Sequence, residues 1–241
     1  MARIRLDTLL IRRGLASSKG EAIGLIMAGK VTVDGRTIDK PGIQVKGDES
    51  IAIKGSRPFV SRGGIKLDHA LSEFGVSVSG LVALDIGAST GGFTHCLLLR
   101  GVRRVYAVDV GRGQLDYRLR TDPRVVVMEG LNARYPFPLP ERAGLVVVDV
   151  SFISLEKVVP RGLEHLGDGG WLIALVKPQF EARRDQVGRG GLIKDPGIHA
   201  QVLGKFIAWA IGLRLRFRGL TSSPILGATG NREFFVLLQR S

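Results

Sequence analysis

Residues 84–94 read LDIGASTGGFT, an apolar run that ends in the carboxylate of Asp85 and breaks at once into a glycine turn. A phosphate-cradling loop closes on Gly-Lys-Ser/Thr, and a dinucleotide fingerprint spaces its glycines Gly-x-Gly-x-x-Gly. Neither spacing is present. Gly87, Gly91 and Gly92 leave backbone bare for close approach, while Asp85 repels a pyrophosphate and favours a cationic or hydroxyl-rich ligand. S-adenosylmethionine, with its ammonium and sulfonium, answers that description; a tight strand-to-helix turn without a ligand is the plain alternative. Three more apolar runs end in polar residues: Asp109 in RVYAVDV, Asp149 in AGLVVVDVSF and Lys177 in WLIALVK. Asp109 follows the glycine turn by about 20 residues, the spacing at which an acid accepts from ribose hydroxyls in nucleoside-binding α/β folds. Asn132, just after RVVVMEG, is placed to meet an adenine edge. One acid at a strand end also describes a helix cap, so the weight rests on their joint occurrence at successive strands.

Burying Lys177 or Asp149 alone is costly, whereas a pair on adjacent strands is tolerated and alters proton affinity. Lys66 in SRGGIKLDHAL and Glu233 in GNREFF are further charged residues next to apolar segments. Whether they reach the same crevice does not follow from spacing.

These residues need elements to hold them. Seven apolar runs read as strands: LVALDI, RVYAVDV, RVVVMEG, AGLVVVDVSF, WLIALVK, LRLRFRGLTSS and REFFVLLQ, with helical segments between most of them. Continuously apolar strands imply burial on both faces, hence a mostly parallel sheet wrapped by helices. Ligands then bind beyond the carboxyl ends of the strands, where all four strand-end residues should face one crevice. The predicted fold is therefore α/β and Rossmann-like over 64–241, behind a small α+β domain over 1–58 and a linker at 59–63 marked by Pro58 and Gly63-Gly64. In the small domain, RLDTLLIRRG and SSKGEAIGLIMAGK read as helices, the second capped by Ser17 or Ser18 and ended at Gly29. VTVDGRTID reads as a hairpin turning at Asp34-Gly35, with ESIAIKG as a further strand.

The formal net charge is +13 with a pI near 10.6, the electrostatic footprint of a polyanion binder. Residues 1–62 hold 12 Lys and Arg against 6 acids, so about half the excess sits in a quarter of the chain. No apolar stretch approaches the roughly 20 residues of a spanning helix, and no amino-terminal signal pattern is present. The single cysteine, Cys96, lies in an apolar helical run and reads as a buried structural thiol, which suits a reducing cytoplasm. The four histidines show no metal-ligand spacing, so no metal is expected.

Taken in order, RLDTLLIRRGLASSKGEA, SRGGIKL, DIGASTGGFT, VDVGRGQLD, DVSFISL, LVKPQFEA, GRGGLIKDP and SSPILGATGNREFF resemble the TlyA, or hemolysin A, family across nearly the whole chain. That resemblance implies a class I methyltransferase domain of the FtsJ type with a seven-stranded sheet, preceded by an RNA-binding domain like one in a small-subunit ribosomal protein. It implies S-adenosylmethionine-dependent 2′-O-methylation of cytidine in ribosomal RNA, within ribosomal subunits. Lys66, Asp149, Lys177 and Glu233 would form the Lys-Asp-Lys-Glu tetrad of ribose 2′-O-methyltransferases, with Lys177 as base. An ordinary lysine, with a pKa near ~10.4, is no base at pH 7, so burial and the charge of Lys66 would have to act on it while Asp149 and Glu233 orient the lysines. Asp85, Gly87, Ala88, Ser89, Thr90, Gly91, Gly92, Phe93 and Thr94 would lie near the methionine part of the cofactor, with Asp149 beside them, Asp109 at the ribose and Asn132 at the adenine. Phe152 would pack on the cofactor or in the core. Arg5, Lys19 and Lys30 are candidates for RNA phosphate contact, and residues 181–196 for a loop that orders over RNA. The rival readings are a non-catalytic rRNA-binding assembly factor, a base methyltransferase and a membrane-active hemolysin.

Overall fold

The computed structural model describes residues 3–16, 18–54 and 58–241. Ser17, the alternative helix cap, and residues 55–57 near the end of the expected small domain lie outside the described residues. The chain divides into two compact units, Met1–Arg57 and Pro58–Ser241.

The first unit runs β1 (Arg3–Arg5), α1 (Leu6–Arg12), α2 (Lys19–Met27), β2 (Val31–Val33), β3 (Arg36–Ile38), β4 (Gln44–Lys46) and β5 (Ile51–Ile53). Ser18 caps α2, its hydroxyl accepting from the Glu21 N–H at 3.2 Å, which satisfies one of the donors a helix start leaves orphaned. The strands β3-β2-β5 form an antiparallel sheet turning at Asp34-Gly35, as the sequence suggests, over a core of Leu6, Leu10, Ile26 and Val31. The β1–β4 pair was not foreseen, because RIR and QVK are three residues each and bury only Val45.

The second unit continues with α3 (Arg62–Phe74), β6 (Val82–Ile86), α4 (Gly92–Leu99), β7 (Arg104–Asp109), α5 (Tyr117–Arg120), β8 (Val125–Glu129), β9 (Ala143–Val148), α6 (Val159–His165), β10 (Leu166–Val176), α7 (Pro178–Glu181), α8 (Pro196–Gly212), β11 (Leu215–Ser222) and β12 (Phe234–Arg240). Its seven-stranded sheet has the order β11-β12-β10-β9-β6-β7-β8. Five strands, β10-β9-β6-β7-β8, are parallel, while β12 runs antiparallel to both β10 and β11. All seven strands anticipated from the apolar runs are present. Alternate residues feed opposite layers: Ala83, Val105, Leu145 and Ile173 pack with Leu67, Leu71 and Leu97 of α3 and α4. Leu84, Ile86, Val146 and Val148 pack with Val159 of α6 and Val202 and Phe206 of α8. The strand order reverses between β6 and β9, the switch point at which open α/β sheets bind ligands.

The stretch 59–63 is not a linker. Phe59 is only 9 % exposed and belongs to the core beneath α3, the Val60 N–H donates to His95 Nδ1 at 3.1 Å, and Arg62 and Gly63 already lie in the helix. Gly64 reads as punctuation but marks close packing, since a Cβ there would stand 2.2 Å from the Phe59 ring. Phe59→Ala is accordingly expected to destabilise the second unit by about 3 kcal/mol in calorimetric unfolding, whereas a linker residue would leave the transition unmoved.

Candidate active site

Two cavities meet at the switch point. The larger, about 400 Å³, is lined on one side by Ser89, Asp109, Gln114 and Asn132 and on the other by Asp149, Ser151 and Phe152. The smaller, about 120 Å³, is lined by Ser61, Lys66, Asp149 and the turn residues Gly87, Ala88, Ser89, Thr90, Gly92 and Phe93. Gly87, Ser89 and Asp149 line both.

Gly87 has φ +88°, and a Cβ on it would lie 2.2 Å from the Asp149 carbonyl oxygen. Only glycine fits both the conformation and the space. The turn is fastened by Gly87 and Ala88 N–H donating to the Val108 carbonyl, at 2.8 and 3.1 Å, and by the Asp149 N–H donating to Ile86 at 2.9 Å.

The strand-end residues meet different fates. Asp85 does not face the crevice. It shares a sheet face with Ala83, so its side chain lies on the α3 and α4 side, fully buried, where the Thr94 hydroxyl donates to Oδ2 at 2.7 Å. Among the described residues Oδ1 has no partner, and burial pushes the carboxyl up to about 7 against the lowering effect of the Thr94 bond. Gly91 and Thr94 likewise lie under the turn and line neither cavity. Asp109 does line the larger cavity, accepting from the Ser89 N–H at 2.8 Å and the Gly111 N–H at 2.7 Å. Asn132 lines it too, with Oδ1 accepting from the Arg134 N–H at 3.0 Å.

Lys66 and Asp149 share the smaller cavity, and each is half of an ion pair: Lys66 Nζ to Glu233 Oε2 and Lys177 Nζ to Asp149 Oδ1, both at 2.6 Å. Lys66, Lys177 and Glu233 are 8 %, 9 % and 3 % exposed. The four charged residues whose convergence spacing left open are thus joined as two pairs about one cavity. Pairing is what permits such burial; deleting one partner strands a charge at about 3–5 kcal/mol.

Two participants, Ser151 and Asn231, carried no sequence signal strong enough to single them out. Ser151 accepts from Lys177 Nζ at 2.9 Å. Asn231, 1 % exposed, accepts from the Ile193 N–H at 2.9 Å and donates to the Gly191 carbonyl at 2.8 Å, fastening the basic glycine loop to the segment that carries Glu233. Phe152 is not core: it is 90 % exposed at the cavity rim, with φ +64° and its ring 5.1 Å from Phe180. Cys96 is buried, its thiol pushed up to about 12 mainly by desolvation, and plays no part in the site. Among the described residues no His, Cys, Asp and Glu cluster could hold a metal, and no helix is long and apolar enough to cross a membrane.

In the first unit, Lys19 and Lys30 are exposed. Arg5 is exposed as well, but its guanidinium is engaged, donating to buried Asp7 at 3.1 and 2.6 Å and so lowering that carboxyl to about 2.

A mostly parallel sheet with a glycine turn at its switch point and polar residues at successive strand ends is the arrangement of nucleoside-binding α/β folds, and the family match narrows it to the methyltransferases. The FtsJ-like methyltransferase model matches residues 59–240 and the S4 domain model residues 4–51. The chain is 44 % identical to the 16S/23S rRNA (cytidine-2′-O)-methyltransferase TlyA of Mycobacterium tuberculosis, over 98 % of this chain and 90 % of that protein. It is 41 % identical to hemolysin A of Brachyspira hyodysenteriae, over 97 % and 98 %. A solved structure from Streptococcus thermophilus, carrying a hemolysin label, is 42 % identical with a TM-score of 0.75, covering 100 % of this chain and 90 % of that one. The chain belongs to the FtsJ-like methyltransferases that carry an S4 domain, and within them to the TlyA (hemolysin A) family.

Asp85 makes a testable contribution to stability. Between the carboxyl's unfolded value near ~3.9 and its folded value of about 7, the unfolded state is ionised while the folded state keeps the proton, so stability falls as pH rises through that window. Asp85→Asn removes this titration and keeps an acceptor for Thr94. Urea unfolding at pH 5 and pH 8 is expected to show the wild type losing about 2–3 kcal/mol more than the variant over that interval.

Proposed function

We propose that the chain transfers a methyl group from S-adenosylmethionine to the 2′-hydroxyl of cytidine in ribosomal RNA. The observation that carries this reading is the double ion pair: two lysines and two carboxylates about a cavity that opens beside the glycine turn. Two buried lysines suit an acceptor that must lose a proton and develop negative charge on oxygen. A base nitrogen presents no such demand.

The residues present fit the cofactor. The larger cavity lies within the usual size range of small-molecule sites and is mostly apolar with a few convergent polar groups. Asp109 would hold the ribose and Asn132 the adenine edge, while the bare backbone at Gly87, the residues from Ala88 to Thr90, and Asp149 would hold the methionine part. Asp85 would act from below, its unpartnered oxygen under the turn. When bound, S-adenosylmethionine supplies an electrophilic methyl group. The protein must bring the ribose oxygen to it and take away the proton.

Lys177 has two fixed acceptors, Asp149 and Ser151, which leave one direction at Nζ for the substrate hydroxyl. To act as base Lys177 must first release one proton to solvent. As the neutral amine it still donates to Asp149 and Ser151, and its lone pair orients the hydroxyl and takes the proton as the methyl group is transferred to the oxygen. Lys66, held by Glu233 across the cavity, offsets the charge that builds on the oxygen. Positioning of two reactants is worth up to about 7–11 kcal/mol of barrier, proton transfer about 10²–10⁴-fold in rate, so the pairs serve alignment first.

The partner is read from the S4 match and from the basic excess of residues 1–62, and the cytidine from the name of the Mycobacterium relative. Ribosomal RNA as substrate implies action in the cytoplasm. Phosphate contacts by Lys19 and Lys30 would position RNA without reading its sequence.

Incubation with labelled S-adenosylmethionine and ribosomal subunits is expected to label ribose 2′-oxygens. Lys177→Arg keeps the cation and the pairing with Asp149 but cannot accept a proton; it should lower the rate about 10²–10⁴-fold with cofactor binding held within a few-fold. Label on a base, no label with any subunit, or full turnover by Lys177→Arg would reject the reading.

A further inference from the structure

We propose that Gln114 is a second ligand of the cofactor's ribose hydroxyls, working beside Asp109 and supplying the hydrogen-bond donors that Asp109 lacks. The inference rests on the cofactor reading above. No homologue's name and no family match assigns this residue a role.

Gln114 lies in the loop between β7 and α5 and lines the larger cavity with Asp109 and Asn132. Its amide is laid against the backbone of Gly111. A Cβ on Gly111 would stand 2.3 Å from Gln114 Nε2 and 3.1 Å from Asp109 Oδ1, so the amide and the carboxylate flank one bare α-carbon. Any side chain at 111 would push them apart. The Ser89 hydroxyl reaches Gln114 Oε1 at 3.4 Å, while Nε2 donates to no protein group among the described residues. An exposed amide with free donors is thus held at the cavity wall rather than left to solvent.

The loop is held firmly. Glu129, at the end of β8 opposite Asp109, accepts from the backbone N–H groups of Gly113 at 2.9 Å, Gln114 at 3.1 Å and Leu115 at 3.2 Å, and from Arg120 at 2.6 Å. Arg120 and these N–H groups hold the Glu129 carboxyl down at about 2, so it stays ionised at neutral pH. The Gly130 N–H donates to the Gly111 carbonyl at 2.9 Å, closing the other side. Four donors on one carboxylate fix the backbone of Gln114 and limit where its side chain reaches.

The chemistry of a vicinal diol completes the argument. Each ribose hydroxyl is one donor and two acceptors, and an ionised carboxylate only accepts. Asp109 already takes two backbone N–H bonds and can accept from the diol, but it gives the hydroxyl oxygens nothing. Gln114 Nε2, next to it, can donate to them. A site built to pair a hydroxyl discriminates against the analogue that lacks it, because the buried polar groups are then left unpaired.

The test is calorimetric titration of the full-length protein with S-adenosylhomocysteine and with its 2′-deoxyribose and 3′-deoxyribose analogues, for the wild type, Gln114→Ala and Gln114→Glu. In the wild type, removal of at least one hydroxyl should weaken binding about tenfold, the size of one good hydrogen bond. Both variants should bind S-adenosylhomocysteine more weakly and lower the penalty for that missing hydroxyl to about twofold. The same penalty in variants and wild type overturns the inference. Failure of the wild type to bind S-adenosylhomocysteine at all would overturn the cofactor reading, and this inference with it.

Discussion

The site depends on the contact between Gly87 and the backbone of Asp149. A Cβ at 87 would stand 2.2 Å from the Asp149 carbonyl oxygen, so the ends of β6 and β9 approach as closely as they do only because that Cβ is missing. Parallel strands that diverge at a switch point leave a crevice, and this contact sets its floor. It puts Asp149 on the wall of both cavities at once. Through Asp149 the ion pair with Lys177 is fixed relative to the turn, and across the smaller cavity so is Lys66 with Glu233. On the proposed reading, the acceptor and the cofactor would therefore share one backbone anchor.

Three acids end three parallel strands, and the fold gives each a different electrostatic state. Asp85 is fully buried with one bond from Thr94, so desolvation dominates and raises its proton affinity. Asp109 is half-exposed and takes two backbone N–H groups at the turn. Asp149 meets a lysine. The difference follows from strand periodicity and from what covers each face, not from residue type. Asp85 points to the layer sealed by α4, whereas Asp109 and Asp149 stand where the strands run out into the crevice. In each case burial is matched by partners, by pairing or by a bound proton, the general condition for charge inside a protein.

That pattern also explains what was legible in the sequence. Continuously apolar runs such as LVALDI and WLIALVK read as strands buried on both faces, and all seven expected strands form the sheet, including the largely exposed edge strand β11 with its alternating arginines. The short pair β1–β4 has no such run and was invisible. The positions of Asp109, Asp149 and Lys177 followed from the strand-end rule, but the inward turn of Asp85 did not, because a run apolar on both faces carries no alternation to say which way its last residue points. The pairing of Lys66 with Glu233 links residues 167 positions apart, and only the family resemblance brought them together beforehand. The linker was misread because glycine has two uses. Gly63-Gly64 looks like flexibility, while Gly64 is small so that Phe59 can pack against it.

The same ambiguity governs the positive charges. A count of 12 basic residues against 6 acids in residues 1–62 signals a polyanion partner, yet it does not say which cations are free. Arg5 pairs with the buried Asp7, and Arg13 donates to the carbonyls of Gly47 and Glu49, so both guanidinium groups, though exposed, already have partners within the domain. Lys19 and Lys30 remain exposed. Phosphate contacts from such side chains add affinity that is independent of sequence and weakens with salt. A ribose 2′-hydroxyl is common to every ribonucleotide, so on the proposed reading the ion pairs at Lys177 and Lys66 fix which oxygen reacts, while discrimination among nucleotides has to come from the shape and bases of the RNA.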